Sequence, residues 1–145
     1  MSLFNPSRDE VRQFFFDAWA KFKAQQALSE LETIAIQVVQ MHPEYQPVLD
    51  APGRYMEQAY FPEMGETNPF LHMSLHLSVL EQIAINQPPG IAPAYQALLA
   101  KYDDAMHAQH DLMDCLVETI WQAQRTGQAP DAEAYLACLW QKSAS

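Results

Sequence analysis

Apolar residues recur along the chain at intervals of three and four positions, which is the period of an amphipathic helix. The first such segment, residues 8–23, places its apolar side chains on one arc: Val11, Phe14, Phe15, Ala18, Trp19 and Phe22. No alternating apolar and polar run of strand length stands out, and β-branched residues are few beside Ala, Leu and Gln. The pattern therefore predicts an all-α fold, a single-domain helical bundle over residues 1–145 with four long helices and several short ones.

Capping residues and prolines set the predicted helix boundaries. Ser7 and Ser29 each precede a glutamate at the third helical position, which is the capping-box pattern of a helix start. Asn68 is followed by a proline, the residue that favours the first helical position. Prolines divide the segment 43–67 into turns and short helical pieces. The predicted long helices cover about 8–23, 30–42, 69–87 and 104–125, and the short ones about 93–101 and 131–140.

Composition and charge narrow the classes of protein to which the chain belongs. Hydrophobic residues make up 49% of the 145 residues and charged residues 18%, so the chain can bury a core and is not of the disordered type. No apolar run approaches the ~18 residues of a membrane span, so we expect no membrane partner. The net charge of −10 argues against nucleic acid as a partner. No secretory signal is visible, and Met1–Leu3 is compatible with a cloning remnant.

Cysteine usage bears on the compartment. The chain contains only Cys115 and Cys138, too few for the disulfide framework of a small secreted domain. We therefore expect reduced thiols in a cytoplasmic protein.

The histidines lie at informative positions on the predicted helices. At about 100° per residue, His72 and His76 both fall on the apolar face of the third long helix, one turn apart and within chelating distance. His42 falls inside the apolar arc of the second helix. The fourth long helix carries a polar stripe beside its apolar arc, made of His107, His110, Asp114 and Glu118.

These positions predict a metal site between helices. His72 and His76 supply the central pair, His42 adds a ligand from the second helix, and His110 with Asp114 closes the site from the fourth, with His107 as the alternative. Lys101 is the only basic residue between positions 55 and 124, so this segment attracts cations. Imidazole and carboxylate together suit a divalent metal such as zinc, iron or manganese. A coordination position left open to water would allow a hydrolytic or transferase reaction.

An alternative interpretation explains the same histidines without a metal. Buried imidazoles can hydrogen-bond to backbone carbonyls, to Asp114 or to tyrosine hydroxyls. The stripe from His107 to Glu118 is then the solvated face of its helix. The protein is in that case a non-catalytic interaction or structural protein, for example a homodimer, with a protein or a small molecule as its partner. Glu63 and Glu66, before the third long helix, are either loop carboxylates or groups that fold back over the histidines as a ligand or base.

Several strings in the chain carry a resemblance to a known family. They are Phe4-Asn5-Pro6-Ser7-Arg8-Asp9, His42-Pro43-Glu44-Tyr45, the run from Pro62 to His72, Met113-Asp114-Cys115-Leu116 and the run from Trp121 to Arg125. The chain resembles, over nearly its whole length, a proteobacterial domain-of-unknown-function family of the DUF1841 type. The resemblance implies a bacterial cytoplasmic helical protein and brings no activity with it. The distribution of histidines over a helical bundle also resembles, at the level of the fold alone, that of DinB-like and hemerythrin-like proteins.

Overall fold

The computed structural model describes residues 7–61 and 64–145, and these residues form eight α-helices and no strand. The helices are α1 (Arg8–Lys23), α2 (Glu30–Met41), α3 (Gln46–Leu49), α4 (Pro52–Tyr55), α5 (Pro69–Ile85), α6 (Ile91–Tyr102), α7 (Ala105–Thr126) and α8 (Ala132–Ala144). A 3-10 turn, Pro43–Tyr45, connects α2 with α3. The predicted all-α class is confirmed, and each predicted long helix lies within two residues of its expected boundaries.

The capping residues bind the backbone as the sequence predicts. The Ser29 hydroxyl accepts a hydrogen bond from the Glu32 N–H at 3.1 Å, and the Glu32 carboxylate accepts one from the Ser29 N–H at 2.9 Å. Ser7 accepts from the third helical N–H of α1 at 3.1 Å. At the other end of α7, Gly127 takes a φ of +69°, a conformation that glycine adopts without steric cost. Local chemistry thus fixes where these helices begin and end.

The chain divides into two compact units, Met1–Leu77 and Ser78–Ser145, and the division falls within α5. In the first unit α1 packs against α2 and α3. Its buried side chains come mainly from α1, α2 and the start of α5: Phe15, Phe16, Ala18, Trp19, Ala35, Ile36, Val38, Val39, Leu49, Phe70, Met73 and Leu77. The indole N–H of Trp19 donates to Asp50 at 2.7 Å, which connects α1 to the residue after α3. That residues 1–145 form one domain stays a prediction.

The buried arc of α1 differs from the predicted one. Arg12 and Phe16 are buried, whereas Phe22 is 37% exposed. Arg12 lies inside because its Nη1 group donates to the carbonyls of Tyr55 and Met56, both at 3.0 Å. Carbonyls at the end of a short helix compensate the guanidinium for lost hydration. The periodicity of α1 alone does not contain this contact, because its acceptors lie more than forty residues away.

The second unit is built on α6, α7 and α8, which pack against one another in all three pairings. Its core contains Ile91, Ala94, Leu98, Leu112, Cys115, Leu116, Tyr135 and Leu139. The Tyr135 hydroxyl donates to Gln82 at 2.7 Å, and burial raises the pKa of Tyr135 far above its ordinary value. Gln109 is buried as well and donates to the Tyr95 hydroxyl at 3.0 Å. Both of these buried polar side chains are therefore paired within the unit.

The expectation of two reduced thiols is wrong. Cys115 on α7 and Cys138 on α8 form a disulfide, with their Cα atoms 5.9 Å apart. The two residues lie on facing sides of packed helices, a juxtaposition that the sequence spacing does not reveal. Within the residues that the structure describes, no helix combines the length and the apolar character needed to cross a membrane.

Candidate metal centre

Three of the predicted ligands meet in the first unit. His42 is the C-cap residue directly after α2, and it is 5% exposed. His72 and His76 lie one turn apart on α5, where His76 is fully buried and His72 half-buried. Pro43 begins the 3-10 turn directly after His42, so the chain turns away and leaves the ring facing α5.

The three rings lie close together. The ring centroid of His42 is 4.6 Å from that of His72 and 5.2 Å from that of His76, and the His72 and His76 centroids are 6.2 Å apart. Each pair of rings is steeply inclined, between 72° and 77°. Each residue offers a ring nitrogen that lies within 4.8 Å of those offered by the other two. The geometry confirms that these histidines are close enough to hold one metal ion.

One nitrogen–nitrogen distance in the cluster is close to the spacing of two ligands on the same metal ion. His42 Nε2 and His76 Nδ1 are 3.1 Å apart. Two imidazole ligands at about 2.05 Å from a tetrahedral zinc ion have their nitrogens about 3.3 Å apart. The same 3.1 Å is also a hydrogen-bond distance. The two nitrogens are therefore already at ligand spacing, and a metal or a shared proton can bridge them.

Glu44 orients the His42 ring. Its Oε1 lies 3.2 Å from His42 Nδ1, so a neutral His42 donates through Nδ1 and presents the Nε2 lone pair towards His76. The pKa of the Glu44 carboxyl lies below its ordinary value, first because the residue's own backbone N–H binds it and then because His42 does, although partial burial opposes both. A carboxylate behind an imidazole is the usual support of a metal-bound histidine, since it fixes the tautomer and strengthens the ligand.

Tyr45 covers the His42 ring. The two rings stack with centroids 5.1 Å apart at 25°, and Tyr45 also contacts His72 edge to face at 5.8 Å. Burial raises the pKa of the Tyr45 hydroxyl, and the charge of Glu44 adds to this effect. The 3-10 turn after α2 therefore supplies both the carboxylate and the aromatic cover of the histidine cluster.

The remaining predicted residues lie on α7 in the second unit. His110 is half-buried, whereas His107, Asp114 and Glu118 are exposed. His107 stacks on Tyr102 with ring centroids 3.7 Å apart, so its ring has an aromatic partner within its own unit. Glu118 accepts a hydrogen bond from Gln122 one turn further on. That Asp114 and His110 coordinate a metal stays a prediction.

The glutamates before α5 divide between described and undescribed residues. Glu63 lies outside the described residues. Glu66 is half-buried, and its backbone N–H donates to the carbonyl of Phe61 at 3.3 Å. The role of Glu66 as a ligand or base stays a prediction.

Sequence reasoning missed the residues that support the cluster. Glu44 and Tyr45 were not among the expected functional residues, although they follow His42 by two and three positions. The available signal was a carboxylate two residues after a histidine at the end of a helix, with a proline between the two. Arg12 was missed because a single charged residue at the edge of an apolar arc normally points to solvent.

Comparison with known proteins gives a family but no activity. Neither the curated proteins nor the solved structures include a match to the chain. The family described as "Domain of unknown function (DUF1841)" matches residues 7–141, which is nearly the whole chain. The histidine cluster, Glu44 and both cysteines all lie within the matched range. The chain belongs to the DUF1841 family.

Proposed function

We propose that this protein binds one divalent metal ion through His42, His72 and His76. The observation that carries the proposal is the convergence of three histidines in the first unit, two of them buried, with two ring nitrogens at 3.1 Å. The carboxylate of Glu44 behind His42 supports it, because such a partner prepares an imidazole to act as a ligand. A ligand set made of imidazoles favours zinc or iron(II) over manganese, which prefers oxygen ligands.

Three imidazoles leave a coordination position for water, as in catalytic zinc sites, and a metal at such an open site can activate that water. His110 and Asp114 lie on α7, in the second unit, and their part in metal binding stays a prediction.

The experiment begins with protein purified without an affinity tag, analysed for bound metal and then stripped with a chelator. Zinc, iron(II) under anaerobic conditions and manganese are added back while the melting temperature is measured. A ligand at a hundredfold excess over its Kd stabilises the folded state by about 2.7 kcal/mol. For a domain of this size we expect a rise of roughly 5–10 °C. Cobalt(II) serves as a spectroscopic probe, because its absorption distinguishes tetrahedral from six-coordinate sites.

Two histidine variants make a matched comparison. His72→Ala removes a half-buried member of the cluster, and His107→Ala removes an exposed histidine that lies outside it. We expect His72→Ala to weaken zinc binding at least tenfold and His107→Ala to leave it unchanged.

Glu44→Ala tests the support behind His42. Loss of the carboxylate frees the ring to rotate and lowers its basicity, so we expect about a tenfold loss of zinc affinity. Because Glu44 is 60% exposed, its removal should change the melting temperature of the metal-free protein little.

The alternative function predicts different results. If the histidines only hydrogen-bond to one another, chelator and added metal leave the melting temperature of the folded wild type unchanged. In that case His76→Ala still destabilises the protein, because it leaves a cavity and removes the contact between His42 Nε2 and His76 Nδ1. A melting temperature that does not change with metal would refute the metal site. Equal losses of zinc affinity in His72→Ala and His107→Ala would refute it as well. The protein would then be an interaction or structural protein, with homodimer formation as the first property to measure.

The location and the partners of the protein also enter the proposal. We propose a bacterial protein that does not bind nucleic acid, because a net charge of −10 repels phosphate backbones. The cytoplasmic location stays a prediction, and the Cys115–Cys138 disulfide argues against it, since reducing compartments keep most thiols free. Alkylation of the protein in intact cells, followed by mass analysis, distinguishes the two cases.

A further inference from the structure

A cavity lies in the first unit, between the beginnings of α1 and α5. Its volume is about 160 Å³, and its polar lining includes Ser7, Arg8, Arg12 and Asn68. Phe70 and Val11 contribute apolar walls. Among the described residues that line it, none is a carboxylate. A cavity lined by two arginines is unusual in a chain that carries 18 acidic residues and eight basic ones.

Arg12 is a buried cation with incomplete pairing. It is 2% exposed, and its Nε is buried and has no hydrogen-bond partner. Its guanidinium carbon Cζ lies 4.7 Å from the ring centroid of Phe70 and 5.7 Å from that of Tyr60. Among the described residues, no carboxylate forms an ion pair with Arg12. Burial lowers the pKa of Arg12, and the charge of Arg8 lowers it further.

Such a guanidinium needs a counter-charge. A guanidinium carries five N–H donors, and the carbonyls that Arg12 reaches accept from Nη1 alone. A buried cation whose charge and donors are only partly compensated costs free energy. An anion in the adjoining cavity would supply what the described protein groups do not.

The other polar groups of the cavity are donors as well. The oxygens of Ser7 and Asn68 already accept from helix N–H groups, which leaves the Ser7 hydroxyl proton and the Asn68 amide protons to donate. Both residues stand at helix N-termini, where the helix dipole favours negative charge. Arg8 is half-exposed and contacts Asp9 and Glu57 at 3.1 Å each. Exposed ion pairs are weak, so a bound anion can compete with them for Arg8.

We infer that this cavity is a binding site for a small oxyanion, a phosphate or carboxylate group held between Arg8 and Arg12. The planar guanidinium fork matches the oxygen spacing of both kinds of group. A volume of about 160 Å³ accommodates one such group with a small substituent. The site is separate from the histidine cluster in its residues and in the sign of the charge that it attracts.

Calorimetric titration of the metal-free full chain tests the site, with inorganic phosphate and acetate as the two probes. Chloride keeps the ionic strength constant, so general screening is the same throughout. We expect saturable binding of at least one probe, and the tighter of the two identifies phosphate or carboxylate as the natural group. Absence of saturable binding of both probes by the folded wild type overturns the proposal.

Two charge-matched variants separate a specific site from general electrostatics. Arg8→Gln removes a lining charge, whereas Arg54→Gln removes an exposed charge of the same unit that does not line the cavity. We expect Arg8→Gln to weaken binding about fivefold or more and Arg54→Gln to leave it unchanged. Equal losses of anion affinity in both variants overturn the proposed site. Arg12→Lys keeps the positive charge but loses the planar guanidinium fork, so the folded variant should bind the anion about tenfold more weakly. If this variant does not fold, the comparison of Arg8→Gln with Arg54→Gln still decides.

Discussion

Removal of the Cys115–Cys138 disulfide should lower the free energy of unfolding. The size of this loss follows from the sequence separation of the two cysteines. They lie 23 positions apart, so the bridge closes a loop of about 24 residues in the unfolded chain. The loop-entropy relation then gives about 3.4 kcal/mol of stabilisation at 25 °C. For a chain of this length, that corresponds to a fall in melting temperature of roughly 7–14 °C on reduction.

The test compares the wild type, with and without a phosphine reductant, and the variant Cys115→Ala/Cys138→Ala. Alanine is preferred to serine because Cys115 is fully buried and a hydroxyl there would need a partner. Urea unfolding should show a lower midpoint for the reduced protein and the variant than for the bridged protein. Their free energy of unfolding should also fall more steeply with urea, because their unfolded chains expose more surface. Reductant should leave the melting temperature of the variant unchanged, which controls for effects on the rest of the chain.

Two results would refute this reasoning. Titration of two free thiols in unfolded protein prepared without reductant would show that the bridge does not form. A bridge that is confirmed by mass, but whose reduction leaves the unfolding midpoint unchanged, would show that the loop-closure argument fails for this pair.

Two further predictions concern the stability of the metal-free protein. Glu32→Gln should destabilise it by about 1 kcal/mol at neutral pH, because glutamine keeps an acceptor for the Ser29 N–H but loses the negative charge that strengthens this bond and pairs with Lys21. The pKa of Glu32 is lowered, chiefly by that backbone N–H and next by Lys21, so its contribution is present above the unfolded pKa and is lost as the pH falls through the folded pKa. Melting curves of both proteins should therefore converge in acid. Leu98→Ala should cost about 2–5 kcal/mol in urea unfolding, since Leu98 is fully buried, and Leu99→Ala, at a half-buried neighbour, should cost less. Equal costs at the two positions would contradict the packing of α6.

The histidine cluster shows how far helical periodicity reaches. The wheel of α5 places His72 and His76 on the same inward face, because residues four apart in a helix are neighbours whatever surrounds them. The same reasoning placed His42 at the inward end of α2. It could not supply Glu44 and Tyr45, because their contact with His42 depends on the path of the 3-10 turn after the helix.

The sequence by itself determined the helices of this protein and the inward side of most of them, since capping, proline and apolar spacing act over a few neighbouring residues. Only the tertiary structure decided which distant groups meet. Cys115 pairs with Cys138 because α7 packs on α8. Arg12 is buried because the last residue of α4 and the residue after it each present a carbonyl to it. Both outcomes depend on contacts between residues far apart in the chain, and no local pattern encodes the geometry of such contacts.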